Sequence, residues 1–500
     1  MAAAHSKARR ADQEQRPPMV EAAAVLSIID VCQDPDLFGP WFKGQSWAAW
    51  FVFLRVMFGL PLDEAGLQLF QACTGRSAPS PSGYLEASLI IGRRGGKSLI
   101  LALIATYLAC FFDWRPFLTG GERGTIMVIA ADRRQATVIF RYLREMLGIP
   151  LLAGMIQRET ADTLELNNGV TIEIQTASFR TIRGRTVVAA LADELAFWMS
   201  DDSANPDVEI LGAIKPAMAT IPKALMLKAS SPYARRGALW ADYRKHYAKD
   251  ESTTLVWVAS TRRMNPCVPQ SFIDAAYEDD PASAAAEYDA QFRTDVEGYV
   301  TREAIEAVTS VGVFERPFIT GQKYFAFCDP SGGAADSMTL AIGHLERGKI
   351  ESDKTAAVDA IRERRAPFSP ENVVDEFVQL LQIYKITAVT GDRYGSNWVS
   401  ERFRIHGVRY EPAEKPKSDL YKDVLPAINS GQVDFLDHPR MTAQFCSLER
   451  RTARGGRDSI DHPPHGRDDI ANAVAGLCCL IRADSNATKT RFIHLDYMGR

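Results

Sequence analysis

The chain has 500 residues, 46% of them hydrophobic and 24% charged, with a net charge of −4. At ~100–200 residues per domain this is an ordinary globular protein of roughly two to four cores, and without an overall basic field any nucleic-acid contact has to be local. The eight cysteines include no C-x-x-C pair, which argues against a zinc site or a disulfide framework and for a reducing, intracellular compartment.

The N-terminal stretch MAAAHSKARRADQEQRPP has charges but no apolar h-region, so it reads as a frayed tail and not a secretory signal. FGPWFKGQSWAAWFVFLRVMFGLPL (38–62) is rich in Trp and Phe, and Trp41 and Gln45 precede an amphipathic helix. Gln45 could pair with an adenine edge while an aromatic ring stacks on the base; packing on a sheet accounts for most of these aromatics. YLEASLIIGRRGGKS then reads as strand, glycine-rich turn and helix start, the context of a phosphate-binding loop. The usual G-x-x-x-x-G-K-[ST] pattern has glycine where this chain has Ile91. Gly92, Gly95 and Gly96 still let backbone N–H groups approach an anion, at the positive end of a helix dipole. Lys97 would reach the β- and γ-phosphates and Ser98 would hold Mg²⁺. The competing account is a glycine-rich turn that happens to contain Lys-Ser.

LILALIATYLACFF (99–112) is nearly all apolar but shorter than the ~20 residues of a bilayer span, so it reads as a buried helix. GTIMVIAADRRQA, GVTIEIQTA and KALMLKASSPY each contain a strand, and their alternation with helical stretches predicts a parallel α/β sheet. TVVAALADELAFW is an apolar run ending in Asp193-Glu194. Acids at the carboxyl end of a buried strand fall where ligands bind in open α/β sheets. Asp193 would hold Mg²⁺ through water and Glu194 would polarise the attacking water; a helix cap followed by a surface glutamate is the alternative. Ser230-Ser231 ends the next strand, either as a sensor of the γ-phosphate or as a turn before Pro232.

The pattern changes in the second half. KYFAFCDPSGG is a strand ending in Asp329, followed by SMTLAIGHLERGKI as a hairpin partner. SPENVVDEFVQLLQIY is a helix with Ser369 at its N-cap and Pro370 at its first position. KITAVTGDRYG ends in Asp392, and HPPHGRDDIANAVAGLCCLI puts Asp468 and Asp469 at the start of an apolar helix. Acids on two strand ends and one helix start can converge on two divalent cations ~4 Å apart, the arrangement that activates water and stabilises a leaving oxygen in phosphodiester hydrolysis. Taken singly, helix capping explains Asp468 and Asp469, and a turn explains Asp392. Before this helix, Arg450, Arg451, Arg454, Arg457 and Arg467 suit backbone phosphates, or form a solvated charged face.

In combination, GRRGGKS, LADELAFW, FGPWFKGQSW, SDLYKDVLPAINSGQVDF, LERRTARGGRDSIDHPP and GRDDIANAVAG, spread over nearly the whole chain, resemble the large terminase subunit of tailed bacteriophages. The resemblance implies an α/β chain with an N-terminal P-loop ATPase domain on a mostly parallel sheet and a C-terminal RNase H-like nuclease domain on a mixed sheet. The expected boundaries are a flexible tail at 1–20, ATPase domain 21–295, linker 296–322 and nuclease domain 323–500. Terminases carry a deviant phosphate loop with an arginine inside it, so Ile91 does not argue against nucleotide binding, and Arg93 or Arg94 is expected to meet phosphate or a neighbouring acid. By the same resemblance Lys97 and Ser98 hold ATP and Mg²⁺, Asp193 is the Walker B acid, Glu194 is catalytic and Ser230-Ser231 matches the coupling segment. Asp329, Asp392 and Asp469 match the nuclease metal ligands, with Asp468 assisting, for Mg²⁺ or alternatively Mn²⁺. Relatives often have His-Asp-Asp where this chain has Arg467-Asp468-Asp469, with His465 two residues earlier, which leaves open which paired acid binds metal more directly.

The implied function is a packaging motor that hydrolyses ATP to pump double-stranded DNA into a procapsid and cuts concatemers. The implied partners are a portal protein, a small terminase subunit and copies of itself in a ring of five, in the host cytoplasm and off the membrane. Arg141, Arg144, Arg158 and Arg183 are candidates for an arginine acting in trans. Three alternatives make different expectations. A helicase or remodelling ATPase with a non-cleaving RNase H-like domain hydrolyses ATP without cutting. A transposase-like nuclease joins strands, and a structural ring leaves Lys97, Glu194 and the acids without a task.

Overall fold

The computed structural model describes residues 26–177, 184–198, 206–334, 336–347, 354–392, 396–452, 458–464 and 466–498. The expected N-terminal tail, and Arg183, Arg454, Arg457 and His465, lie outside the described residues. The chain forms two compact units, one from residues up to Trp198 together with Asp207–Phe292, the other from Arg293 onward.

The first unit is built on β1 (Glu86–Ile91), β2 (Gly124–Ala130), β3 (Ile156–Glu159), β4 (Thr163–Leu166), β5 (Val170–Thr176), β6 (Thr186–Asp193), β7 (Leu225–Ser230) and β8 (Thr254–Ala259). They form one sheet in the order β3-β4-β5-β2-β6-β7-β1-β8. From β5 to β8 every pair is parallel, and β3 and β4 add an antiparallel edge. The central strands are near-continuous apolar runs because helices cover both faces. Of these helices, α1 (Ala48–Met57) carries the Trp-rich segment, and α2 (Lys97–Cys110) begins directly after the glycine-rich turn. The apolar run expected to be a buried helix is α2: Ile100–Ala109 are all buried. Next along the chain, α3 (Arg133–Leu147) packs on α2 through Ile139, Leu143 and Met146.

The second unit contains β9 (Val296–Gly298), β10 (Thr309–Ser310), β11 (Tyr324–Asp329), β12 (Met338–Arg347), β13 (Lys354–Arg364), β14 (Ala388–Gly391), β15 (Arg409–Pro412), β16 (Val433–Leu436), β17 (Glu449–Thr452) and β18 (Asp458–Asp461). Seven form a mixed sheet in the order β10-β16-β13-β12-β11-β14-β15, and the other three form a small antiparallel sheet, β18-β17-β9. The strands β13, β12 and β11 are antiparallel, while β14 joins β11 and β15 joins β14 in parallel. Two helices, α4 (Pro370–Ile383) and α6 (Asp469–Met498), pack on this mixed sheet, and α5 (Lys417–Asn429) packs on α6 and β18. Val373, Phe377 and Leu381 of α4 belong to one core with Cys328 and Leu340; Ile470, Val474 and Leu477 of α6 belong to another with Phe327 and Ala341.

The stretch expected to be a linker departs from that expectation. Tyr299, Val300, Ile305 and Val308 are buried in the core of the second unit. The Tyr299 hydroxyl donates to the Tyr421 carbonyl at 2.6 Å. β9 pairs with β17 and β10 with β16, and Arg316 pairs with Asp434 at 2.7 Å. A solvated tether cannot keep four large apolar side chains in water when a sheet edge is available to bury them. Among the described residues no helix is long and apolar enough to cross a membrane.

Candidate functional site

In the first unit the glycine-rich turn follows β1 and is held by a rigid frame. Gly92 is enforced by crowding: a Cβ there would lie 2.3 Å from Thr261 Oγ1 and 2.6 Å from the Tyr288 carbonyl oxygen. Ile91 stands where a loop glycine is usual because it is still the last residue of a buried strand. The carbonyls of the turn are taken by neighbours. Thr261 Oγ1 donates to Arg93 O at 2.7 Å, Asn265 Nδ2 to Arg94 O at 2.9 Å and Trp50 Nε1 to Gly95 O at 2.8 Å. Arg93 pairs with Glu287 at 3.1 Å. Gly96 (φ 97°) is the N-cap of α2, whose first-turn N–H groups lack intrahelical acceptors.

Strand order decides what surrounds this turn. β7 lies between β1 and β6, so Ser230 at the end of β7 arrives beside Glu194, the acid that follows β6. Lys97 is buried; its Nζ lies 3.3 Å from Glu194 Oε1 and donates to Ile91 O at 3.1 Å. Glu194 Oε2 accepts from Ser230 Oγ at 3.2 Å and from Ser231 N at 3.3 Å. Glu194 also adopts a left-handed backbone (φ 49°), a strained conformation for a residue with a side chain. Ser98 Oγ donates to Asp193 Oδ2 at 3.1 Å, and Trp198 Nε1 fixes the Asp193 carbonyl at 2.9 Å. Asp193 is 1% exposed, and burial, then the Glu194 charge, pushes its carboxyl up to about 7. Its Oδ1 is buried without a hydrogen-bond partner. A hydroxyl and a carboxylate with an unused oxygen form a hard donor set that suits Mg²⁺.

Gln45 is exposed at the start of one 3₁₀ turn, Gln45–Trp47. A Cβ at Gly96 would sit 3.3 Å from the Trp47 ring, so this turn forms one wall next to the loop. Among the candidate trans-acting arginines, Arg144 pairs with Glu159 at 3.3 Å and Arg158 with Glu165 at 3.6 Å, while Arg141 is exposed on α3.

The second unit brings its acids together at one sheet edge. Because β11 and β14 are parallel neighbours, Asp329 and Asp392 leave the sheet side by side, and α6 begins at the same edge. Asp329, Asp392, Asp468 and Asp469 line one cavity of about 270 Å³. Asp469 has one buried oxygen, Oδ2, without a partner, and so does Asn472 at Oδ1. Desolvation, then Asp392 and Asp469, raises the Asp329 carboxyl well above the usual carboxylate range. Desolvation, then Asp468, pushes Asp469 up to about 6, and desolvation also raises Asp392. Converging carboxylates, two buried and two half-buried, whose charges oppose one another, with an oxygen left unpartnered, suit divalent cations.

Helix capping does not account for the paired acids. Gln444 Oε1 accepts from the N–H groups of Ile470 at 2.8 Å and Ala471 at 3.0 Å, so a remote glutamine caps α6. The two acids also differ. Asp468 Oδ2 accepts from the Tyr421 hydroxyl at 2.8 Å and meets Lys417 Nζ at 2.9 Å, whereas Asp469 keeps its unpartnered oxygen. Of the basic approach, Arg450 pairs with Asp458 and Arg451 with Glu449, and Arg467 lines the cavity.

Sequence reasoning passed over Asp336, Lys417, His462 and Asn472, all of which line the cavity. Asn472 was legible as the residue one turn after Asp468, facing the same way; its Nδ2 donates to Asp392 Oδ2 at 2.9 Å. Lys417 and His462 carry no such signal, since only the fold brings them to α6.

No family model matches the chain, and no curated protein matches it. Among solved structures it is similar to the large terminase of bacteriophage HK97, at 17% identity over 84% of this chain and 95% of that one, with a TM-score of 0.37. The large terminase of a thermophilic bacteriophage, in complex with ADP, shares 13% identity over 85% and 98% of the two chains, with a TM-score of 0.36. The large terminase nuclease of the thermophilic phage G20c with bound magnesium shares 15% identity over 35% of this chain and 94% of that one, with a TM-score of 0.31.

Proposed function

We propose that the chain is the large subunit of a phage DNA-packaging motor, hydrolysing ATP in its first unit and cutting double-stranded DNA in its second. The observation that carries this reading is that each compact unit has its own cluster of acids: Asp193 and Glu194 beside Lys97 in one, Asp329, Asp392 and Asp469 in the other.

In the first unit Lys97 leaves Glu194 to meet the β- and γ-phosphates of ATP, and Ser98 and Asp193 are the residues that would hold Mg²⁺. Released from the lysine, the Glu194 carboxylate orients and polarises the attacking water. Ser230 and Ser231, already bonded to Glu194, register its movement and pass it along β7. In the second unit Asp329, Asp392 and Asp469 are the residues that hold divalent metal, Mg²⁺ or Mn²⁺. Bound there, a metal pair supplies an activated water and stabilises the leaving oxygen of a phosphodiester. Asn472 orients Asp392, and Arg467 lies where a DNA phosphate would enter. A portal protein, a small terminase subunit and a ring of five copies complete this reading, with the host cytoplasm as its place.

The test is one incubation of purified protein with plasmid DNA and Mg²⁺ or Mn²⁺, with and without ATP, measuring cleavage and phosphate release together. Both activities are expected. Phosphate release without cleavage, in either metal, would move the chain to the remodelling ATPases.

Gln45, on the turn whose Trp47 packs beside the loop, is assigned to the adenine edge. Gln45→Ala is expected to raise KM for ATP several-fold, in keeping with ~0.5–1.5 kcal/mol for one hydrogen bond, and to reduce the preference for ATP over GTP. Unchanged ATP and GTP kinetics would remove Gln45 from the site.

A further inference from the structure

Asp461, His462 and Asp468 present three ligand atoms all within 4.8 Å of one another, the spacing of a metal site. His462 has the matching orientation: its Nδ1 lies 2.9 Å from the Pro463 carbonyl, so Nδ1–H donates there and Nε2 is left as the metal-binding nitrogen. Yet this corner already contains a cation. Lys417 Nζ lies 2.8 Å from Asp461 Oδ1 and 2.9 Å from Asp468 Oδ2, between the two carboxylates. Lys417 is the first residue of α5, the helix end where a positive charge is disfavoured by the dipole. One turn on, Tyr421 donates to the same Asp468 at 2.8 Å. So α5 presents two donors in succession to Asp468, at the cost of placing a lysine at the unfavourable end. In the same cavity, Asp469 Oδ2 and Asn472 Oδ1 have no such partner. The chain therefore satisfies the charge of Asp468 itself and leaves an oxygen of Asp469 without a donor.

We propose that Lys417 is a built-in cation that sets the metal count of the cavity: it excludes a divalent ion from Asp461, His462 and Asp468, and holds Asp468 out of metal coordination. Lys417 is thus a positioning residue, and divalent ions are confined to Asp329, Asp392 and Asp469. The inference rests on the nuclease reading for that second group alone.

The experiment is a Mn²⁺ titration of the full-length, nucleotide-free protein, counting bound ions from the loss of the free-Mn²⁺ electron paramagnetic resonance signal. Lys417→Ala is expected to bind one more Mn²⁺ than the unaltered protein, and Lys417→Arg the same number. His462→Ala added to Lys417→Ala is expected to return the count to the starting value. Lys417→Met, which keeps the apolar stem, repeats the measurement should the alanine variant not fold. Asp461→Asn alone is expected to leave the count unchanged, because Asp461 faces the lysine and not a metal. An unchanged count in a folded Lys417→Ala or Lys417→Met protein overturns the proposal, as does the loss of an ion in Asp461→Asn. Asp329→Ala reports separately on the nuclease reading: if it binds as many ions as the unaltered protein, that reading fails whatever Lys417 does.

Discussion

Asp329→Ala is expected to abolish plasmid cleavage while ATP hydrolysis persists. Asp329 ends β11 at the middle of the acid cluster, beside Asp392 and within the electrostatic reach of Asp469. Losing even an indirect partner of a metal ligand costs about 10–100-fold, so loss of a carboxylate proposed to hold the metal is expected to exceed that range. The readouts are plasmid relaxation on a gel and phosphate release from the same preparation. Surviving cleavage in a folded Asp329→Ala protein would remove the residue from the site. The companion variant Asp329→Asn carries a stability signature. The folded-state pKa of Asp329 is raised, so in metal-free protein its charge opposes folding above that pKa, and the penalty fades as pH falls toward the ordinary carboxylate value. Without metal, Asp329→Asn should therefore melt higher than the unaltered protein near pH 7 and at the same temperature near pH 4. Saturating Mg²⁺ should reverse the neutral-pH difference, because only the carboxylate holds the ion. No gain in metal-free melting temperature at pH 7 would mean that the Asp329 charge is compensated within the fold.

Glu194→Gln is expected to keep nucleotide binding and lose ATP hydrolysis by about 100-fold or more, the lower end of what a positioned acid–base group contributes. The amide can still accept from Ser230 and Ser231 through its oxygen, so the junction of β6 and β7 should stay intact. What is lost is the carboxylate that polarises water. Lys97→Ala is expected to fail earlier, at binding, because it removes the buried ammonium proposed to meet the phosphates. Binding of a fluorescent ATP analogue separates the two variants, and phosphate release shows the shared loss. Plasmid cleavage should survive in both, since their side chains belong to the first unit and the second carries its own acids. Near-normal turnover by Glu194→Gln would pass the catalytic role to another acid, with buried Asp193 the first to test.

The local sequence determined the elements and the ends at which the chemistry sits. Continuous apolar runs specified β1, β2, β6 and β7 as strands covered on both faces, and Gly92 to Ser98 marked the turn and the start of α2. Acids closing apolar strands marked Asp193, Asp329 and Asp392, because an ionisable residue ending a buried run is tolerated only where the sheet opens to solvent or a ligand. These are patterns of burial along the chain, set by residues a few positions apart. The tertiary structure alone decided the pairings between distant segments. Placing β7 between β1 and β6 brought Ser230 to Glu194. Gln444 took over the cap of α6 and freed the paired acids, and Lys417 with Tyr421 then took Asp468 and left Asp469 with an unpartnered oxygen. Tyr299 and Ile305 drew an expected tether into the second unit's core. Each outcome pairs a charge or an apolar side chain with a partner tens of residues away, which local periodicity cannot express.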